Sequence, residues 1–133
     1  MEKNNTSEMY ASDFNGEKVI KQKDELIKFL DNRPALNSNY FIFTFSETGF
    51  PQLAIFVKNN YGVVYYLDNN QTFISSNPEP INVGETEIFY ENSKGALVKL
   101  PQKSILSQNE IEATVLAFYE TKYRPLLINW QEI

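Results

Sequence analysis

Residues 40–75 restrict the fold of this chain more than any other part of it. Residues 40–45, 52–58, 61–67 and 72–75 are rich in Phe, Tyr, Ile, Val and Thr, the residue types that fit a pleated, half-buried surface. Turn chemistry cuts each run from the next. Ser46-Glu47-Thr48-Gly49 follows the first, Asn59-Asn60 can occupy the left-handed positions of a tight hairpin, and Asp68-Asn69-Asn70 turns the chain again. Connections this short join neighbouring strands that run in opposite directions, so the segment predicts an antiparallel meander. Alternation within it is blurred. Phe41, Phe43 and Phe45 share one face while Tyr40 and Ile42 occupy the other; Tyr61, Val63, Tyr65 and Leu67 share a face with Val64 and Tyr66 opposite. A sheet with one wet face carries polar residues at such opposite positions. Either both faces are covered, or one presents the exposed aromatic surface that marks a partner site.

Two predicted helices are available as cover. Residues 24–32 set Leu26, Phe29 and Leu30 at helical spacing, with Asp24 and Glu25 near the positive end, and Pro34 forbids continuation. Ser107 and Glu110 form a capping box, Leu106 can staple onto Ile111, and Ile111, Val115 and Phe118 make a buried stripe. Residues 17–20, 85–91, 96–100 and 126–130 are further strand candidates. Trp130 reads as a core side chain against the second helix, and Gly62 as a turn or bulge glycine. Two helices can hardly cover both faces, so part of the aromatic sheet is expected to stay open. The expected fold is α+β: an antiparallel meander of about five to seven strands with two main helices packed on it. Residues 1–8 are expected to be a disordered polar tail, and residues 9–133 a single domain.

The chain has neither Cys nor His among its 133 residues. That excludes a disulfide framework, a Cys or His nucleophile or base, and nearly every zinc or copper site. No apolar run approaches the roughly 18 residues of a membrane span, and residues 1–5 lead into no secretory signal, so a cytoplasmic location is expected. Seventeen acidic residues face twelve basic ones, a net charge of −5, which argues against direct nucleic-acid binding. Residues 46–91 hold Glu47, Asp68, Glu79, Glu85, Glu87 and Glu91 against Lys58 alone, so the whole imbalance lies in the middle third. Such a segment is either a solvated face or a surface that meets a basic partner. Glu85 and Glu87, at i and i+2 on a predicted strand, are the one carboxylate pair available for acid–base or Mg²⁺ chemistry. Two glutamates on an edge strand more often suppress edge pairing. The expectation is therefore a non-enzyme without metal or cofactor. A small-ligand or carbohydrate-binding module using the aromatic sheet face is the alternative.

From residue 107 onward the chain reads as a helix closing at Phe118, then Thr121-Lys122, Arg124-Pro125, Ile128 and Trp130-Gln131-Glu132. This order resembles the C-terminal signature of the first immunity-protein family of bacterial polymorphic toxin systems, with Lys122 where that family often has Gly. The middle, with residues 50–53, Ile55-Phe56, Lys58-Asn59, residues 63–66 and residues 89–92, is similar to immunity proteins of toxins that deaminate cytosine in double-stranded DNA. The resemblance spans about residues 9–133. It implies a cytoplasmic non-enzyme of interbacterial competition that binds one cognate toxin, a deaminase with a basic substrate groove, and blocks its active site. Under that implication the acidic middle segment is the toxin-facing surface. Its candidate contacts are the turn residues Glu47, Asp68 and Asn69, the acids Glu85, Glu87 and Glu91, and the anchors Tyr66 and Tyr90.

Overall fold

A computed structural model describes residues 8–133. All but the last residue of the expected N-terminal tail therefore lies outside the described residues. The chain order is β1 (Met9–Asp13), β2 (Gly16–Ile20), α1 (Lys23–Leu30), β3 (Ser38–Thr44), β4 (Gln52–Lys58), β5 (Tyr61–Leu67) and β6 (Thr72–Ser76). It continues through β7 (Thr86–Tyr90), β8 (Leu97–Pro101), a one-turn 3-10 helix (Gln102–Ser104), β9 (Ile105–Ser107), α2 (Gln108–Thr121) and β10 (Asn129–Glu132). The main sheet is antiparallel, in the order β10-β6-β5-β4-β3-β1-β2, with β9 added beside β5. Strands β7 and β8 form a separate two-stranded ribbon. The expected α+β fold is present: a meander through β3–β6 at its centre, and two helices.

One sheet face is closed by the helices. Phe41, Phe43, Leu53, Ile55, Val57, Val64 and Tyr66 pack there against Leu26, Phe29 and Leu30 of α1 and Ile111, Val115 and Phe118 of α2. Edge-on ring contacts such as Phe29–Phe41, 5.4 Å between centroids, add directional packing to the burial, which is worth about 1.5–3 kcal/mol per large apolar side chain. The capping box starts α2: the Glu110 amide donates to Ser107 Oγ, and the Ser107 amide donates to Glu110 Oε1 at 3.0 Å. Helix α2 ends at Lys122, whose φ of 65° lies in the left-handed region. Arg33 ties three elements together. Its guanidinium donates to the Leu30 carbonyl at the end of α1, to the Asn59 carbonyl in the β4–β5 turn, and to Gln108 Oε1 at the start of α2.

The opposite face is partly open, as expected, but its aromatic half is covered. Phe56, Val63, Ile74, Phe89, Leu100 and Ile105 form a second core, with Tyr40, Tyr61, Tyr65 and Val98 packed against it. The β7–β8 ribbon thus acts as a third covering layer over one half of the face. Blurred alternation was a sign of cover on both sides, supplied on the second by strands rather than helices.

Several local readings change. Gly62 lies inside β5, and a Cβ there would collide with the Phe56 carbonyl oxygen; the residue is needed for close approach of backbone, not for a turn. In the Asn59-Asn60 hairpin only Asn59 is left-handed, with φ 55°. Leu36 and Asn37 (φ 57° and 50°) make an unforeseen tight turn, closed by the Ser38 amide donating to the Ala35 carbonyl at 2.9 Å. The last strand begins at Asn129, not Leu126, and pairs antiparallel with β6. Strands β1 and β9 were not anticipated.

Candidate functional site

The candidate residues fall into two groups and an interior pair. Because β3, β4 and β5 run antiparallel in sequence order, the β3–β4 and β5–β6 turns emerge at the same end of the sheet. Glu47 stands exposed in the first turn, where the Gly49 amide donates to the Ser46 carbonyl and the Thr48 amide to Ser46 Oγ. Asp68 organises the second turn by accepting the Asn70 and Gln71 amides at 2.9 and 2.8 Å, and Asn69 sits exposed at the tip. The two turns border different hollows. Glu47 lines a concavity of about 640 Å³ on the uncovered half of the second sheet face, with Tyr10, Glu17, Val19, Ile42 and Thr44. Asp68 borders a groove of about 530 Å³ on the helix side with Phe73, Tyr123, Arg124, Leu126 and Glu132.

The second group rides on the ribbon. Glu85 and Glu91 are exposed on either side of β7, and Tyr90 is half-buried. Glu91 lies near enough to Tyr40 to help hold its hydroxyl above the usual phenol range, although burial is the larger cause.

Two candidates are not free contact residues. Tyr66 is 5% exposed and points into the helix-side core, with its ring against Phe118, Phe73 and Trp130 at centroid distances of 6.2–6.3 Å. Burial pushes its hydroxyl above the usual phenol range, and the nearby Asp68 adds to this. The alternation was legible, but which face the helices would take was not, and Tyr66 proves to be a core residue. Glu87 is turned towards the sheet rather than paired with Glu85. Lys58 Nζ donates to its Oε2 at 2.6 Å, the Tyr61 hydroxyl donates to Oε2 at 3.1 Å, and Gln102 Nε2 donates to Oε1 at 2.9 Å. Lys58 Nζ also donates to the Ile88 carbonyl at 2.6 Å and lies 5.6 Å from the Phe89 ring centroid. The hydrogen bond from Lys58 holds the Glu87 carboxyl below the usual carboxylate range, with burial opposing and Gln102 assisting. These groups form a clasp between ribbon and sheet. Since Lys58 is committed to Glu87, no other cation of the middle segment offsets Glu47, Asp68, Glu79, Glu85 and Glu91.

The stacked Tyr40–Phe56 pair, 4.2 Å between centroids, lies under the ribbon with Tyr65. A carbohydrate-binding face built on these rings has no open platform. Among the described residues, no group of three or more Asp and Glu side chains is arranged to hold a metal ion, and no helix is long and apolar enough to cross a membrane. Sequence reasoning missed Tyr10 and Val19 of the open concavity, since β1 carries only Met9 and Ala11 as its inward signal.

No family model matches the chain. It is 43% identical over 125 residues to a double-stranded DNA deaminase immunity protein of Burkholderia cenocepacia strain H111, covering 94% of this chain and 100% of that protein. The chain belongs to that immunity-protein family. For an immunity protein the geometry that matters is that of surfaces. The candidate residues that remain at the surface are Glu47, Asp68 and Asn69 at the turn end, and Glu85, Tyr90 and Glu91 on the ribbon.

Proposed function

We propose that this immunity protein works in the cytoplasm as a single domain, binds one cognate deaminase toxin and neutralises it by occluding its active site, with no reaction or cofactor of its own. The observation that carries this reading is the 43% identity along the full length of a double-stranded DNA deaminase immunity protein. Charge supports the occlusion step. An enzyme that handles DNA needs a cationic substrate groove, and a middle third with five carboxylates that no cation of the same segment pairs complements such a groove and speeds encounter. The proposed contacts are Glu47, Asp68 and Asn69 at the turn end and Glu85, Tyr90 and Glu91 on the ribbon. Tyr66 and Glu87 support them from within.

Co-expression with a double-stranded DNA deaminase toxin domain tests the reading. Growth should be restored and the two chains should co-purify. In vitro, duplex DNA at rising concentration should raise the apparent inhibition constant. Protection without such competition would replace occlusion with inhibition through an altered toxin conformation; no complex and no protection would refute the reading altogether.

A further inference from the structure

Between β6 and β7 the chain makes a short excursion, residues 77–85, that is tied down at both ends. The Asn77 amide donates to the Lys103 carbonyl at 2.5 Å, and its side-chain Nδ2 donates to the Ile105 carbonyl at 2.9 Å. At the other end the Glu85 carbonyl accepts the Gln102 amide at 3.0 Å. Between these anchors Pro78 and Pro80 restrict the backbone, and the Glu79 amide donates to Asn77 Oδ1 at 3.0 Å. The loop is thus held in shape, yet it directs apolar side chains into water: Val83 is 99% exposed and Ile81 44%. Fully exposed Val83 with partly exposed Ile81 two residues before it, on a loop fixed at both feet, leaves apolar area that a partner can bury at low ordering cost. Glu79 and Glu85 flank it, and no Lys or Arg occurs anywhere from residue 59 to residue 93.

We propose that the loop of residues 78–84 is the element that enters the toxin's substrate cleft. Val83 and Ile81 fill the apolar pocket meant for a base, and Glu79 and Glu85 meet the cationic rim that otherwise holds the DNA backbone. This rests on the toxin-occluding reading above and names the part of the surface that performs it. The chemistry favours this occupant. A cleft for DNA combines a flat apolar slot with Lys and Arg at its mouth, and an apolar tip between two carboxylates is its complement. Loop preorganisation lowers the ordering cost of insertion.

The test uses the full chain and the catalytically inactivated deaminase toxin domain that it protects against. Val83→Ser should leave thermal melting unchanged, because that side chain is 99% exposed, and weaken affinity about tenfold or more, mostly through faster dissociation. Glu79→Lys with Glu85→Lys should slow association about tenfold at low salt, with the difference shrinking as salt rises. In the unaltered complex, amide exchange at residues 81–85 should be slowed relative to the free protein; this readout needs no substitution. Tight binding by both loop variants, or unchanged exchange at residues 81–85 in a formed complex, overturns the loop's role while leaving the immunity reading intact. If the unaltered protein does not bind the deaminase, that reading fails and the loop's role with it.

Discussion

Replacing Glu87 by Ala tests whether the ribbon is held on by its clasp. The substitution removes hydrogen bonds of 2.6, 3.1 and 2.9 Å at one carboxylate. It strands the Lys58 ammonium, whose side chain is only 18% exposed, against 20% for Glu87. Breaking a fully buried ion pair costs about 3–5 kcal/mol and an exposed one about 0–1 kcal/mol, so this partly wet site should lose about 2–3 kcal/mol. For a chain of this size, that lowers Tm by roughly 6–12 °C. Urea unfolding of the Glu87→Ala and Lys58→Met single variants and the double variant should give a coupling energy near 1–2 kcal/mol. The pH dependence has a defined sign. Glu87 is held below the usual carboxylate range in the folded protein, so its contribution is fully present above the unfolded carboxylate pKa and is lost as pH falls through the lower folded value. The unaltered protein should therefore lose more stability than Glu87→Ala between about pH 5 and pH 3. A cycle coupling below about 0.3 kcal/mol, or parallel pH profiles, would refute the clasp and make the pair a surface ornament.

Other substitutions probe single contacts. Gly62→Ala should destabilise by about 2–3 kcal/mol in chemical denaturation, because the added methyl meets the Phe56 carbonyl and lies 3.0–3.1 Å from Val57 and Ile111 side-chain carbons; a change within 0.5 kcal/mol would mean the strands part easily there. Trp130→Phe should cost about 1–2 kcal/mol, since the buried Pro125 carbonyl loses the indole N–H at 2.6 Å, with little effect on toxin affinity by titration calorimetry. Lys122→Gly should melt higher than Lys122→Ala by an amount equivalent to about 1 kcal/mol, because φ is 65° there; equal melting would show that the helix end relaxes.

Legibility followed the range of the interactions involved. Strands β4 and β5 carried their own composition and turns, so their bounds of 52–58 and 61–67 could be read residue by residue. The capping box of α2 is equally local, with both partners within four residues. Strand β9 has only three residues and exists because β5 offers Tyr61, Gly62 and Val63 as partners. Strand β1 depends in the same way on β2 and β3. The acidic segment was visible, but the spending of Glu87 on Lys58, Tyr61 and Gln102 was not, since these partners lie 15–29 positions away. Tyr66 shows the same limit: period-two alternation sorts residues into two faces, yet only helix docking decides which face is dry.

Strand β6 ends at Ser76 and β9 begins at Ile105, yet both lie along the same edge of β5, one after the other. The gap between them is closed by Ser75, whose Oγ accepts the Val64 amide at 3.1 Å and donates to the Ser104 carbonyl at 2.6 Å. Everything from residue 77 to residue 104, loop and ribbon together, therefore leaves and re-enters the sheet through one narrow neck. Inserting or deleting residues beyond that neck changes chain-closure entropy only logarithmically, about 0.6 kcal/mol per doubling of length. The freedom belongs to the loop of residues 78–84, which can diverge to follow a changing partner while the ribbon stays fixed to the sheet; transplanting the whole insert between relatives requires Phe89, Leu100 and the Glu87 clasp as well as the Ser75 and Asn77 closure.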